Sequence, residues 1–284
     1  MILENIWIIN MDKSKDRLEK INKNLTELGI KFNRFRAIDG SKINKKELNN
    51  KVTFLCKNFL CNTGIIGCAE SHKQLWKQLL SEKNTEHYLV LEDDVVLTND
   101  SVKIINKLEP KLSLYDIDFL NLYCVMPGSG FNKTEFEIDD YKFGKPFFPL
   151  QTCGYIISKK GAAKLLQHIE KTTYHIDVEI AIFNLKNNLN YFTSNKNIIK
   201  IREDYTTIGN NNKCMTFSLL DNIGLCYYSW LLNVPVFTIK MTYAVNSVLI
   251  LLFFLLILNH NKIKSDLLFW LIILELLLLH YVYL

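Results

Sequence analysis

Along residues 1–230, apolar positions alternate between short continuous runs and stripes of helical period. Ile6-Trp7-Ile8-Ile9 is such a run, as expected of a strand buried on both faces of a parallel sheet. Asp12 and Ser14 stand where a helix needs caps, and Leu18, Ile21, Leu25 and Leu28 then recur at helical spacing. Gly29 sits where a C-terminal cap belongs. Residues 32–38 read as a second strand, closed by an Asp39-Gly40 turn. Strand, helix and strand within residues 6–40 are the opening of a doubly wound α/β domain. Residues 44–60 read as helical. A longer helix begins near Ile65, where Ile65, Cys68, Ala69, His72, Leu75, Trp76 and Leu79 form one stripe and Glu70, Lys73 and Lys77 take the opposite side. It leads into a strand at 87–92. Residues 119–123 and 154–158 read as further strands, 161–169 and 176–185 as helices, and 191–192 with 198–201 as strands that close the sheet. Between 124 and 150, Pro127, Gly128, Gly130, Gly144, Pro146 and Pro149 mark a long loop region, and loops of that length are often functional.

The pattern changes near Val234. Residues 242–258 and 267–284 are almost wholly apolar, and the link between them, Asn259-His260-Asn261-Lys262-Ile263-Lys264-Ser265-Asp266, is polar. The chain therefore divides into an α/β domain at 1–230 and an apolar tail at 231–284 that reads as a membrane hairpin of two helices. Each stretch is at the short end of spanning length. Asn246 and Glu275 oppose insertion: a central carboxylate costs about 3 kcal/mol, while each leucine returns only about half of one. The alternative is a buried soluble hairpin.

Composition narrows the classes. The chain has 284 residues, is 49% hydrophobic and carries a net charge of +5, spread over single lysines among many asparagines, so nucleic-acid binding has little support. Seven cysteines with no repeated C-x-x-C spacing argue against a zinc site or a disulfide framework, and for reduced thiols. The start, Met1-Ile2-Leu3-Glu4-Asn5, lacks the basic and apolar regions of a secretory signal peptide. Lys262 and Lys264 in the hairpin turn, against Lys240 before it, favour a cytosolic turn. Moving a folded domain across a bilayer is harder than burying two lysines in a short translocated turn, so a cytosol-facing domain is expected.

The main chemical signal is His87-Tyr88-Leu89-Val90-Leu91-Glu92-Asp93-Asp94-Val95-Val96, an apolar strand that ends in three acids. The acids repel one another and call for a compensating cation. A hard divalent ion is the usual answer, since Mg²⁺ takes one or two carboxylates and leaves its other positions to phosphate oxygens. Ligands in open α/β sheets gather beyond the carboxyl ends of the strands. The alternative is an exposed acidic turn after a core strand.

Motifs occur in a telling order: Ile8-Ile9-Asn10-Met11-Asp12 with Arg17; Ala37-Ile38-Asp39-Gly40; Gly64-Ile65-Ile66-Gly67-Cys68-Ala69-Glu70-Ser71-His72; Leu91-Glu92-Asp93-Asp94-Val95; and Cys153-Gly154-Tyr155-Ile156-Ile157-Ser158-Lys159-Lys160-Gly161-Ala162, followed by His175-Ile176-Asp177. Over about residues 4–205 this order resembles glycosyltransferase family 25, the group of bacterial lipopolysaccharide galactosyltransferases and collagen galactosyltransferases. Two features depart from it: Ile65 stands where the family usually has Glu, and the apolar tail is not part of the common pattern.

The resemblance implies a GT-A-like fold with a mostly parallel sheet. It also implies transfer of a sugar, often galactose, from a nucleotide diphosphate donor such as a UDP-sugar to a glycan, lipid-linked or protein hydroxyl, assisted by Mn²⁺ or Mg²⁺. Glu92 and Asp94 are the expected metal ligands, since alternate strand residues share a face unless the chain has already turned. Asp93 is then left to bind the donor sugar. Asn10, Arg17 and Asp39 lie where uridine or its ribose would approach, although Arg17 could equally be a solvated helix residue. The general base is expected at Asp177, with Glu179 second; Asp177 could instead cap a helix. His72, on the apolar stripe, reads as a core histidine, and Cys68 as a small packed residue whose thiolate Glu70 would disfavour. Two rivals remain: another metal-dependent nucleotidyl- or phosphotransfer enzyme, and a catalytically silent membrane-bound sugar-nucleotide-binding protein.

Overall fold

The computed structural model describes residues 2–123, 131–147, 149–186 and 188–202. The chain divides into two compact units, Met1–Asn212 and Lys213–Leu284, and every described residue belongs to the first. Among the described residues no helix is long and apolar enough to cross a membrane. The expected hairpin at 242–258 and 267–284 lies outside the described residues.

Strand β1 (Ile6–Asn10) is followed by α1 (Lys15–Glu27), β2 (Asn33–Arg36), α2 (Lys45–Lys51), α3 (Thr63–Ser81), β3 (His87–Glu92), β4 (Val95–Val96), α4 (Asn99–Leu114) and β5 (Phe119–Asn121). Then come β6 (Phe136–Ile138), β7 (Tyr141–Gly144), β8 (Gly154–Ser158), α5 (Lys159–His168), α6 (Ile176–Leu185), β9 (Tyr191–Ser194) and β10 (Lys200–Ile201). Eight strands form one sheet in the order β2-β1-β3-β8-β5-β9-β7-β6. The β2-β1-β3 block and the β5-β9 pair are parallel. Strand β8 runs antiparallel between β3 and β5, and β7 runs antiparallel to both β9 and β6. The sheet is thus largely parallel in sense, with β8 and β7 reversed.

Continuous apolar runs are what a sheet covered on both faces requires. Ile6, Ile8, Leu89 and Leu91 pack with Ile21 and Leu25 of α1 and Ile104, Ile105 and Leu108 of α4. The alternate residues Ile9, Tyr88 and Val90 join Leu75, Trp76 and Leu79 of α3, Leu165 of α5 and Ile180 of α6. The result is helix, sheet, helix. Gly29 closes the turn after α1 with φ +68°, the left-handed conformation expected of a C-terminal cap. Ser14 is the N-cap of α1 but makes no side-chain cap bond, and Asp12 pairs with Arg34 and Arg36 of β2 instead.

Five expectations need correction. Residues 44–60 are not one helix: α2 ends at Lys51 because Val52 and Thr53 bridge to Thr172, with Thr53 N–H donating to Thr172 O at 2.9 Å. A separate π-helical turn, Cys56–Leu60, follows. Its first cysteine forms a disulfide with Cys61, so the reading of all thiols as reduced fails. The 124–150 region contains the β6–β7 hairpin, whose Phe136, Ile138, Tyr141 and Phe143 bury alternate side chains around an Asp139-Asp140 turn with Asp139 at φ +52°. Residues 200–201 do not close the main sheet; they pair antiparallel with β4 in a small sheet of their own.

The fifth correction concerns α3. Glu70 and Lys73 lie opposite the apolar stripe yet are buried, while Lys77 is exposed. Lys73 Nζ meets Glu70 Oε1 at 2.7 Å, and Lys51 Nζ donates to Glu70 Oε2 at 2.8 Å. Segment 170–172 covers the pair and supplies Glu170 O and Thr172 Oγ1, each 3.3 Å from Lys73 Nζ.

Candidate active site

The carboxyl ends of β1 and β3, the Asp39-Gly40 turn and the first turns of α3 enclose a cavity of about 450 Å³. Its size suits a small-molecule site, and it opens where an α/β sheet gathers ligands. One wall is a close backbone contact. A Cβ on Gly40 would lie 1.9 Å from Thr63 O, and one on Gly67 would lie 2.4 Å from Ile38 O. Only glycine at both positions lets the turn rest on the helix start. Ser71 locks the contact, accepting a hydrogen bond from Ile38 N at 2.8 Å and donating to Gly67 O at 2.6 Å. These contacts give a physical reason for the two glycine-bearing motifs.

The three acids do not alternate as a continuing strand would. β3 ends at Glu92, and the chain turns through Asp93 and Asp94 before β4 resumes. Asp93 and Asp94 therefore converge on one cation: Arg17 Nη2 lies 2.9 Å from Asp93 Oδ1 and 2.6 Å from Asp94 Oδ2. Arg17 is buried rather than solvated. The protein thus supplies from its own chain part of the positive charge that the acids demand. Asn10 donates to Asp93 Oδ2 at 2.7 Å and to Ser14 O at 3.0 Å, and accepts from Arg34 Nε at 3.0 Å. Asn10 is fully engaged behind the acid pair and does not line the cavity. Arg202 N donates to Asp94 O at 2.8 Å, and its guanidinium to Asp93 O.

Burial, reinforced by repulsion from Glu92 and opposed by Arg17, pushes the Asp94 carboxyl up to about 6. Burial also raises Asp93, against the pull of Arg17 and Asn10. Asp94 Oδ1 is buried with no hydrogen-bond partner among the described residues. Such an atom is costly unless a ligand satisfies it.

Glu92 points elsewhere. Its Oε1 is 3.8 Å from His72 Nε2, and one ligand atom each from Cys68, His72 and Glu92 lie within 4.8 Å of one another. His72 is buried as expected of a core histidine, but it also lines the cavity. Its Nδ1 is 2.8 Å from Tyr155 Oη, which accepts from Trp76 Nε1 at 2.9 Å. Burial raises the Cys68 thiol well above its ordinary value, helped by Glu92 and Asp177 rather than by the expected Glu70. The spacing of Cys68 and His72, one helical turn apart, was visible in sequence; their approach to Glu92 required the fold.

Asp39 lines the cavity with Oδ1 held by Ser41 N at 3.1 Å and Ser41 Oγ at 2.6 Å. Asp177 and Glu179 do not line it. Asp177 Oδ1 contacts His175 Nδ1 at 2.8 Å and accepts from Val178 N at 2.7 Å, and its Oδ2 accepts from Gln151 N at 3.0 Å. Burial pushes the Asp177 carboxyl up, but these bonds outweigh it and hold the group below its usual range. His175 is raised in turn, because Asp177 overcomes the effect of burial, with a further contribution from Glu92. Glu179 Oε1 accepts from Thr173 N at 2.6 Å and Tyr174 N at 3.0 Å, fixing the turn before α6.

Similarity to known proteins follows the same segment. A sequence model of glycosyltransferase family 25 (LPS biosynthesis protein) matches residues 3–180. Human procollagen galactosyltransferase 2 is 26% identical over 174 residues, covering 58% of this chain and 28% of that protein. Procollagen galactosyltransferase 1-B of Xenopus laevis is 26% identical over 181 residues, and a glycosyltransferase 25 family member of Drosophila melanogaster 28% over 175, each with the same shares. The chain spans less than a third of the length of these relatives. The family match runs from the residues before β1, through both glycine contacts and the acidic end of β3, to Asp177 and Glu179, and on it the chain belongs to glycosyltransferase family 25.

Proposed function

We propose that the chain transfers a hexose, galactose in the first instance, from a UDP-sugar to a hydroxyl acceptor, with a divalent cation assisting. The observation that carries this reading is the cavity at the ends of β1 and β3, lined by Glu92 and by Asp94, whose buried Oδ1 has no hydrogen-bond partner among the described residues. Glu92 makes no side-chain hydrogen bond among the described residues, so both carboxylates have oxygens to offer, and an oxygen donor set suits Mn²⁺ or Mg²⁺. When bound there, the ion neutralises the charge that develops on the leaving diphosphate.

The protein's own groups do the rest. Arg17 holds Asp93 and Asp94 in place and adds a positive charge to the cavity wall. Asp39, fixed by Ser41, offers Oδ2 to a ribose or sugar hydroxyl. Proton removal from the acceptor is assigned to the His175–Asp177 pair, which does not line the cavity itself but lies near enough for Glu92 to act on His175. Asp177 has both oxygens occupied, so it is the positioning residue: it accepts the Nδ1 proton of His175 and leaves Nε2 able to take the acceptor proton. Glu179, bonded to two backbone amides, is assigned to structure. The tail at 242–258 and 267–284 is proposed as a membrane hairpin, with the catalytic domain facing the cytosol.

The test is a screen of UDP-hexoses with the purified full chain, with and without Mn²⁺ and candidate acceptors, measuring release of UDP. Cation-dependent UDP release with acceptor glycosylation is expected. Release of pyrophosphate would favour a nucleotidyltransferase, and donor binding without turnover would favour a silent binding protein.

A further inference from the structure

We propose that Cys68, His72 and Glu92 form a three-ligand site for a divalent cation of the Zn²⁺ class, open toward the cavity. The geometry assembles it from two elements. Cys68 and His72 are four residues apart on α3 and share one helix face, and Glu92 at the end of β3 meets them from the sheet. The three ligand atoms lie within 4.8 Å of one another, and His72 Nε2 is 3.8 Å from Glu92 Oε1. Zn–S and Zn–N bonds of about 2.3 and 2.0–2.1 Å place tetrahedral ligands roughly 3.3–3.7 Å apart, so closure requires a shift of about 1 Å. Glu92 can supply its share of that shift, since its side chain is 29% exposed and has no hydrogen bond among the described residues, and the rest falls to Cys68.

The imidazole is held from behind. Nδ1 faces Tyr155 Oη, itself bonded to Trp76, which leaves Nε2 on the cavity side. A ligating histidine is usually oriented by donating its second ring N–H, here Nδ1–H to Tyr155 Oη, which has a lone pair left beside the one Trp76 uses. Three protein ligands beside an open cavity leave the fourth position to water or substrate, the arrangement of zinc sites that take part in chemistry.

Donor chemistry decides the ion. Glu92 is common to this set and to the oxygen pair with Asp94. Asp94, paired with Arg17, is not among the groups within reach of Cys68 and His72, so the two ligand sets share Glu92 alone. Thiolate and imidazole select Zn²⁺ or Co²⁺ over Mg²⁺ and Mn²⁺. On binding, the Cys68 S–H proton leaves to solvent, the metal–sulfur bond replaces the S–H bond, and nothing is oxidised. Any part this ion plays in sugar transfer rests on the transferase reading; its binding does not.

The experiment titrates the chelator-treated full chain with Co²⁺ alone and records absorption. One Co²⁺ per chain is expected, with a sulfur-to-cobalt charge-transfer band in the near ultraviolet, displaced by Zn²⁺ and not by a large excess of Mg²⁺. Cys68→Ser should abolish the band and weaken binding by at least about tenfold, the loss that follows removal of even an outer-shell partner. A parent chain that binds no Co²⁺, or binds it without the band, overturns the proposal irrespective of how any variant folds. So does Co²⁺ binding that survives Cys68→Ser and is lost in Asp94→Asn. UDP-sugar turnover in a chain that gives no band removes the ion site and leaves the transferase standing. A Cys68-dependent band with no turnover of any nucleotide sugar establishes the site and removes the transferase.

Discussion

Glu70→Gln is the most exacting test of how this fold is held together. The carboxylate and its partner Lys73 have side-chain exposures of 4% and 5%, and the exchange leaves Lys73 charged beside neutral oxygens alone, the new amide oxygen and two others at 3.3 Å. Breaking a buried pair costs about 3–5 kcal/mol. Lys51, the other partner, is 28% exposed and keeps its solvation, so the lower end of that range, about 3 kcal/mol, applies. For a domain of this size the melting temperature should fall by about 6–12 °C, at 2–4 °C per kcal/mol. Thermal melts of the full chain, followed by near-ultraviolet circular dichroism, would measure it. Burial alone would raise the Glu70 carboxyl, but Lys51 and Lys73 together lower it, so its contribution is present above the unfolded value of 4.5. That contribution is lost as pH falls through the depressed folded value, so parent and variant should converge in acid. Glu70→Gln with Lys73→Met removes both buried charges and should recover at least half of the loss. A single variant that melts within about 1 °C of the parent at neutral pH would refute the reasoning, since the buried lysine would then have no need of its carboxylate.

Three further outcomes are expected. Asp94→Asn should reduce cation-dependent UDP release by about a hundredfold or more, as for other charge-stabilising groups, with the melt little changed; parental activity would exclude Asp94 as a ligand. The rate kcat/KM should rise with pH through a limb above the ordinary imidazole value of 6.5, because Asp177 raises His175 and the base must be unprotonated. Asp177→Asn should move that limb to lower pH as well as slow the reaction, and an unmoved limb would separate the pair. Alkaline carbonate should leave the full chain with membranes, and external protease should digest residues 1–230 in sealed vesicles whose cytosolic face is outward; release or protection, respectively, would overturn the tail proposals.

Local signals made much of the fold legible. The Ile6–Ile9 run, the stripe of α1, Gly29 and the apolar face of α3 each encode their element within a few turns of chain. The hairpin at Phe136–Phe143 was legible too, since its apolar residues alternate, but the surrounding prolines and glycines disguised it. What escaped depends on layers meeting. Nothing near Glu70 and Lys73 announces that segment 170–172 will cover them. Arg17 has the spacing of an ordinary helix residue until β3 brings two acids to it. The site was legible as a list of motifs, and the turn at Asp93-Asp94 decided which acid faces which partner. Asn10 and Glu179 were recognised as important residues, but their polar atoms turn out to hold backbone and neighbouring side chains.

The contact between Gly40 and Gly67 has a consequence for how this cavity can change. Along that wall the lining is the main chain itself, because a methyl group at either glycine would overlap a carbonyl oxygen. A wall of peptide groups has no rotamers to adjust and no side chains to exchange, so substitution cannot retune its shape one residue at a time. New substrate preferences in this scaffold must arise elsewhere around the cavity, at Met11, Lys13 or the neighbouring loops, while this wall stays the same from one variant to the next.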